Sequence, residues 1–198
     1  MQIVNEAAWF REVRFLANRR VTIAVLNYCL DSERDIKSHA MRSKLLSLHL
    51  IQQVLNNHLD IFIDPNVGIL SSSTRERTPF LHATKQYLCL ALSRNAISPV
   101  ILVFELSCEI FWRMLSGLRT KLKKEIEVLL NEIFLPILEM RNSTIRQKAI
   151  LLAVFGRIAQ DPQALVDIYL NYDCDRSSLD NIYERYRLSL VRFLYAFS

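Results

Sequence analysis

The chain has 198 residues, enough to enclose one sizeable core or a linear stack of helices sharing one. Its hydrophobic fraction of 51%, with only three Gly and five Pro, excludes a disordered chain and leaves little turn material for an all-β fold. A formal charge of +5 and a pI near 9.1 permit an anionic partner without requiring one, and the longest apolar runs, such as residues 149–155, fall far short of the roughly 20 residues that cross a bilayer.

Residues 5–20 place Trp9, Phe10, Val13 and Leu16 near one face, which predicts a first helix. Residues 21–30 continue apolar behind Arg19 and Arg20. They lie too far from Met1 for a signal peptide, contain Asn27 and run into Asp31, not into a small-residue cleavage site. A charged loop is expected over residues 31–38. Residues 40–58 then read as a helix with Leu45, Leu46, Leu48, Ile51, Val54 and Leu55 as its apolar stripe, and Arg42, Gln53 and Asn56 away from it. Asp64-Pro65-Asn66 breaks the chain, and residues 71–77 form the most polar stretch, expected to be a mobile surface loop.

Thr78 before Pro79 predicts an N-cap followed by Pro at the first helical position, opening a helix to about Arg94 with Phe80, Tyr87, Leu88 and Ala91 inward. Ser98 before Pro99 repeats the device. Val100, Val103, Phe104, Phe111 and Met114 line one face of that next helix, Glu105, Glu109 and Arg113 the other, and Gly117 is expected to end it. Residues 118–140 carry Leu122, Ile126, Leu129, Ile133 and Ile137 at helical steps, with Pro136 predicting a kink or break. Asn142 or Ser143 is expected to cap a helix whose inward stripe is Ile145, Ala149, Leu152 and Phe155; Asp161 before Pro162 caps the next. No exact repeat is present. The recurrence of helices about every twenty residues nevertheless predicts an all-α fold of antiparallel helix pairs stacked as an armadillo/HEAT-like solenoid.

Cys29, Cys89, Cys108 and Cys174 are widely spaced, without CxxC or a nearby CxxH, so they read as reduced and mostly buried thiols of a cytosolic chain, neither zinc ligands nor a disulfide frame. The densest basic block is Arg119, Lys121, Lys123 and Lys124. Glu125 and Glu127 follow Lys121 and Lys123 at i+4, so a solvated, partly self-paired face is expected; it is also the candidate membrane-facing surface. No aromatic stacking platform is interleaved with it, so no nucleic-acid partner is expected.

The feature that stands out is NYDCD, Asn171, Tyr172, Asp173, Cys174 and Asp175, where an apolar helical run stops in a polar knot. Asn171 suits a left-handed helix end, Asp173 and Asp175 can accept backbone amides of the next turn, and Ser177 or Ser178 can cap the helix containing Ile182, with Asp180 or Asn181 reciprocating. Asp173, Asp175, Ser177, Asn181 and Glu184 also occupy the first, third, fifth, ninth and twelfth places of a calcium-loop frame. Ser178 stands where that loop needs Gly and Asp180 where it needs an apolar residue, so no metal or other cofactor is expected. An enzyme reading would use Asp167, Asp173 and Asp175. Against it, His39, His49, His58 and His82 all fall outside the motif, and neither a Gly-rich phosphate loop nor a nucleophile elbow is present. His49 is expected within the apolar stripe as a helix residue, not a base.

From about Met41 to Arg185 the chain resembles the HUS domain of the large Golgi guanine-nucleotide exchange factors for Arf GTPases, the SEC-seven, brefeldin-A-inhibited branch in particular. The segments MRSKLLSLHLIQQVLNN, ATKQYLCLALSRNAISPVILVFELSCEIFWRML, LKKEIEVLLNEIFLPILE and DPQALVDIYLNYDCD carry the likeness, with NYDCD similar to the family's signature box. The resemblance implies a non-catalytic armadillo-like module over residues 39–185, flanked by divergent segments 1–38 and 186–198. It implies packing against an upstream dimerisation domain, and indirect dealings with Arf-family GTPases and trans-Golgi membrane. It implies residence in the cytoplasm, peripheral on Golgi membranes, and allows a homodimer. The exchange domain with its glutamate is not expected here; a fragment, a truncated product or a last segment read from another exon would account for that, and Leu188, Leu190, Val191, Leu194 and Phe197 would need burial. The alternative is a basic helical membrane- or protein-binding module unrelated to Arf exchange.

Overall fold

Ser38 sets the first helix: its side chain accepts from the Met41 amide at 3.0 Å, and α1 runs His39–Asn57. The computed structural model describes residues 38–70 and 77–196, so the helix expected over residues 5–20, the apolar run 21–30 and most of the polar loop 71–77 lie outside the described residues. The chain divides into two compact units, residues 1–91 and 92–198.

In the first unit the inward face of α1 carries Met41, Lys44, Ser47, Leu48, Ile51 and Leu55. Leu48, Ile51 and Leu55 are buried as the spacing predicts, but Leu46 is 61% exposed and Leu45 and Val54 are half-buried, the rest of the inward face being Met41, Lys44 and Ser47. His49 is exposed, not within the stripe. A single turn, α2 (Asp60–Ile63), precedes the Asp64-Pro65-Asn66 break, where the Asn66 amide bonds to the Asp64 carboxylate at 2.8 Å.

The two short strands β1 (Gly68–Leu70) and β2 (Arg77–Pro79) pair antiparallel with Ile69 opposite Thr78, a departure from a purely helical chain. Gly68 permits the approach, since a Cβ there would sit 2.7 Å from the Thr78 carbonyl oxygen. Thr78 and Pro79 thus belong to the ribbon and not to a helix cap; the strand pairing holds them extended, and α3 (Phe80–Asn95) begins one residue later. Phe80 packs edge-on against Phe62, ring centroids 5.1 Å apart.

The second unit is helical among its described residues. Ser98 accepts from the Val100 amide at 3.2 Å, and α4 (Ile101–Leu118) starts two residues after Pro99 and runs through Gly117. Its buried face (Val103, Phe104, Phe111 and Met114 among others) is the one the spacing predicts, widened by Leu106, Cys108, Ile110 and Leu115. Residues 123–139 form α5 (Lys123–Leu129), a π turn (Leu130–Phe134) and α6 (Leu135–Glu139). The break expected at Pro136 takes this form: the Leu135 amide reaches back to the Leu130 carbonyl, and Pro136, with no N–H to give, sits in the first turn of α6.

Thr144, not Asn142 or Ser143, caps α7 (Ile145–Ala159), in a capping box with Gln147. The inward stripe of α7 is Leu151, Val154, Phe155 and Ile158, while Ile145 is 73% exposed and Ala149 exposed. Asp161 caps α8 (Pro162–Ile168) through the Ala164 amide at 3.1 Å. A second π turn (Tyr169–Asp173) and α9 (Ile182–Ala196) complete the unit. α7 packs along α4, and α9 along α6 and the second π turn. Phe111 of α4 stacks on Phe134 at 4.0 Å, and Phe155 of α7 meets Tyr186 of α9 edge-on at 5.3 Å. Each such fully buried ring contributes about 1.5–3 kcal/mol by leaving water. Of the residues 186–198 read as a tail, Tyr186 and Ser189 are buried, whereas Leu188 and Val191 are each 39% exposed. Among the described residues no single helix is long and apolar enough to cross a membrane.

Candidate functional site

All five residues of NYDCD fall at the second π turn and its exit, so Asn171 is not a left-handed helix end: the helix continues through it, and Cys174 closes the turn by donating its amide to the Tyr169 carbonyl at 3.1 Å. Tyr172 points inward, 3% exposed, and its hydroxyl donates to the Lys123 carbonyl in the first turn of α5 at 2.9 Å. Burial pushes its phenol pKa well up, so it stays a neutral donor.

Asp173 crosses to α9. Its two carboxylate oxygens accept the amides of Tyr183 at 2.8 Å and Glu184 at 3.0 Å, two of the orphan donors at the start of that helix. The cap assigned by sequence spacing to Ser177 or Ser178 is therefore supplied from ten residues upstream. Ser178 instead donates its hydroxyl to the Asp180 carbonyl.

Asp175 holds the connecting loop. One carboxylate oxygen accepts both the amide and the hydroxyl of Ser177 at 2.8 Å, while the other takes the ammonium of Lys123. The Lys123 ammonium, with the Ser177 donors behind it, holds the Asp175 carboxyl well below the usual carboxylate range. Two residues past Ser177, the Leu179 amide donates to the carboxylate of Glu127, itself buried in α5. Lys123 and Glu127, expected to pair with each other on a solvated face, turn instead to the loop.

Neighbouring ion pairs extend the cluster. Arg119 donates to Asp167 at 2.6 Å and lies 3.5 Å from Asp161, tying the end of α4 to α8, and it holds the Asp167 carboxyl below its ordinary pKa. Arg185 of α9 makes a two-pronged bond to Glu139 of α6, at 2.9 and 2.7 Å, and reaches Asn131 in the first π turn. This depresses the Glu139 pKa, and Ser189 adds a bond to the same carboxylate. Tyr186 donates to the Phe155 carbonyl at 2.9 Å.

Of the basic block, Arg119 and Lys123 thus face inward to carboxylates, and Lys121 and Lys124 are exposed. The carboxylates of the calcium frame do not converge: both oxygens of Asp173 take backbone amides, and those of Asp175 take Lys123 and Ser177. No group of three or more His, Cys, Asp or Glu among the described residues could hold a metal ion. The enzyme candidates Asp167, Asp173 and Asp175 are each engaged in fastening helices. Of the thiols, Cys108 is buried and desolvation pushes its pKa up, Cys89 is half-buried and Cys174 is exposed, against the expectation of burial; Cys29 lies outside the described residues.

The bonds of Asp173 to the head of α9, of Asp175 to Ser177 and Lys123, and of Glu127 to Leu179 together form a clasp. Beside it the outer face of α8 and its π turn leaves Val166, Tyr169 and Leu170 about half exposed, and Leu179 is 68% exposed in the loop. Tyr169 packs edge-on against Tyr183 at 5.7 Å, which joins that face to α9. Sequence reasoning missed Glu127, Lys123, Arg185 and Tyr186 as parts of the cluster. The signal for Glu127 was its place on the buried side of α5, next to Ile126, where an unpaired carboxylate is costly.

The most polar cluster of this helical unit is thus turned to its own backbone and side chains, and the comparisons give the family. The model of the Mon2/Sec7/BIG1-like HUS domain matches residues 21–181. The ADP-ribosylation factor guanine nucleotide-exchange factor sec71 of Schizosaccharomyces pombe is 46% identical over 187 residues, 94% of this chain and 10% of that protein. SEC7 of Saccharomyces cerevisiae is 46% identical over 156 residues, 79% of this chain and 8% of the relative, and human brefeldin A-inhibited guanine nucleotide-exchange protein 1 is 43% identical over 171, 86% and 9%. The chain belongs to the HUS-domain family of Sec7- and BIG1-like exchange factors, as the resemblance implied. It spans about a tenth of the length of the curated relatives it matches.

Proposed function

We propose that this chain is a regulatory and scaffolding module of an Arf guanine-nucleotide exchange factor, with no chemistry of its own. Residues 39–185 form the module. Its occupant is the upstream dimerisation domain of the same family, docked on the face beside the clasp; through that contact the module serves dimerisation, recruitment to trans-Golgi membrane from the cytoplasm, and indirect engagement of Arf-family GTPases in vesicle transport. The helix pairs would stack as an armadillo/HEAT-like solenoid, which suits the apolar surface left on α8. One observation carries the reading: the clasp turns every carboxylate of the NYDCD box to structural partners while leaving Val166, Tyr169, Leu170 and Leu179 exposed alongside. Family membership supports this over a membrane- or protein-binding module unrelated to Arf exchange.

A pull-down with the upstream domain tests it. Leu170→Asp, at an exposed position, should abolish capture while leaving the melting temperature near wild type; Asp173→Ala should weaken capture together with stability. Wild-type capture by both would sink the proposed contact. Exchange on an Arf GTPase should be blank for the purified chain, and turnover there would overturn the account. With Lys121 and Lys124 as the outward cations of the basic block, flotation on anionic vesicles should be weak and lost at high salt.

A further inference from the structure

The loop between the second π turn and α9 is the exposed part of the clasp. Arg176, Ser177, Leu179, Asp180 and Asn181 are all exposed, and the path is held by two anchors: Asp175, gripping Ser177 with one oxygen and Lys123 with the other, and Glu127, gripping the Leu179 amide. Ser177 has its hydroxyl outside the fold yet bonded to the carboxylate on which the first anchor turns. Carboxylates also flank it in sequence, Asp173 and Asp175 before and Asp180 three residues after. That is the charge pattern a kinase with a basic substrate groove selects. Ser178 differs: it is half-buried, has Asn181 three residues on, and bonds within the loop.

We propose that Ser177 is a phosphoacceptor for an acid-directed protein kinase and that its phosphorylation opens the clasp. The Ser177 hydroxyl oxygen bonds to the γ-phosphorus of ATP, the bond from that phosphorus to the β–γ bridging oxygen breaks to release ADP, and the hydroxyl proton leaves to solvent through the kinase's base. The modified oxygen has no proton to donate to Asp175. It carries instead a group of charge about −1.5 to −2 at hydrogen-bond range from a carboxylate, where like charges repel. Phosphate and Asp175 compete for one ammonium, that of Lys123, and the turn that Asp175 makes with the Ser177 amide is lost. The loop then lifts from the Leu179–Glu127 bond. This concerns the clasp itself and holds whatever partner covers the neighbouring face.

The test uses the full chain in two forms, one treated with an acid-directed serine/threonine kinase and magnesium ATP, the other carrying phosphoserine genetically encoded at position 177. Peptide mapping should find phosphate on Ser177 and none there in Ser177→Ala. Hydrogen exchange at the Leu179 amide should quicken about ten-fold in both phosphorylated forms. Lys123→Met should quicken it unmodified, with little further change on phosphorylation. Ser177 left unmodified while other serines are labelled would overturn the acceptor assignment. Unchanged Leu179 exchange in the encoded form would overturn the switch. Neither readout depends on the upstream domain, so failure here is distinguishable from failure of the proposed docking.

Discussion

Asp173→Ala is the sharpest probe of the clasp, because it removes two hydrogen bonds without touching a packed apolar group. In the wild type one carboxylate receives the Tyr183 and Glu184 amides at 2.8 and 3.0 Å, so the variant leaves two orphan donors at the head of α9. Loss of an Asp N-cap costs about 0.5–2 kcal/mol, and loss of a negative charge at a helix N-terminus a further ~0.3–1 kcal/mol. Adjacent Ile182 and Tyr186 are buried and hold the helix in place, so the donors partly regain water without the helix detaching. A net destabilisation of about 2 kcal/mol is expected, which lowers the melting temperature of a chain this size by about 4–8 °C. Calorimetry measures the total, and hydrogen exchange at Tyr183 and Glu184 locates it. Asp173→Asn, which keeps an acceptor oxygen, should recover about half. A wild-type melting temperature and unchanged exchange in Asp173→Ala, with the loss appearing in Ser177→Ala or Ser178→Ala instead, would return the cap to the serines and refute the reasoning.

Three further outcomes follow from the same geometry. The Glu139 carboxyl titrates lower in the folded chain, chiefly through its hydrogen bonds from Arg185, so its stabilisation is full above the unfolded carboxylate pKa of about 4.3 and is lost as pH falls through the lower folded value; the gap in melting temperature between wild type and Arg185→Met should therefore be constant near neutrality and close as pH drops below about 4. Gly68→Ala drives a methyl to 2.7 Å from the Thr78 carbonyl oxygen, and NMR should record loss of the cross-strand contact between Ile69 and Thr78, with a cost of about 1–3 kcal/mol. Tyr172→Phe should cost only about 1 kcal/mol in chemical denaturation, one hydrogen bond to the Lys123 carbonyl, whereas Tyr172→Ala, which empties a buried ring site, should cost about 3–5 kcal/mol.

The helical character, the Asp161 cap and the inward face of α4 were legible because each rests on local chemistry: a Pro after a capping side chain, or an apolar period along one helix. The boundaries that moved did so where a distant group overruled a local one. Thr78-Pro79 has the form of a helix start, but pairing with Gly68–Leu70 makes it a strand end. Ser177 and Ser178 have the spacing of caps, yet Asp173 reaches the same amides from across the loop. The basic block read as a surface because Lys123 and Glu127 look self-sufficient at i+4. In the fold each finds a partner some fifty residues on, Asp175 and the Leu179 amide, and nothing in the spacing encodes that pairing. The box itself was found by its composition; which oxygen holds which donor required the topology.

The π turns explain why the box can do this, and their cause is visible in the sequence. Leu122, Ile126, Leu130, Phe134 and Leu138 are all buried and recur every four residues, as do Ala164, Ile168 and Tyr172. In an α-helix each step of four advances the side chain about 40° beyond a full turn, so an ideal helix would carry Leu138 about 160° round from Leu122 and Tyr172 about 80° round from Ala164. A wider turn absorbs part of that drift. The first falls at Leu130–Phe134, ahead of the proline that needs a hydrogen-bond gap, and the second at Tyr169–Asp173. With the phase restored, Tyr172 stays over the first turn of α5 while the next residue, Asp173, faces α9. A strict 3.6 period there would swing Tyr172 away from the Lys123 carbonyl, and with it the carboxylate that caps the last helix. The signature residues are thus placed by a packing phase set about two turns upstream, which is why a polar knot of five residues can fasten α5 to α9, helices that begin nearly sixty residues apart.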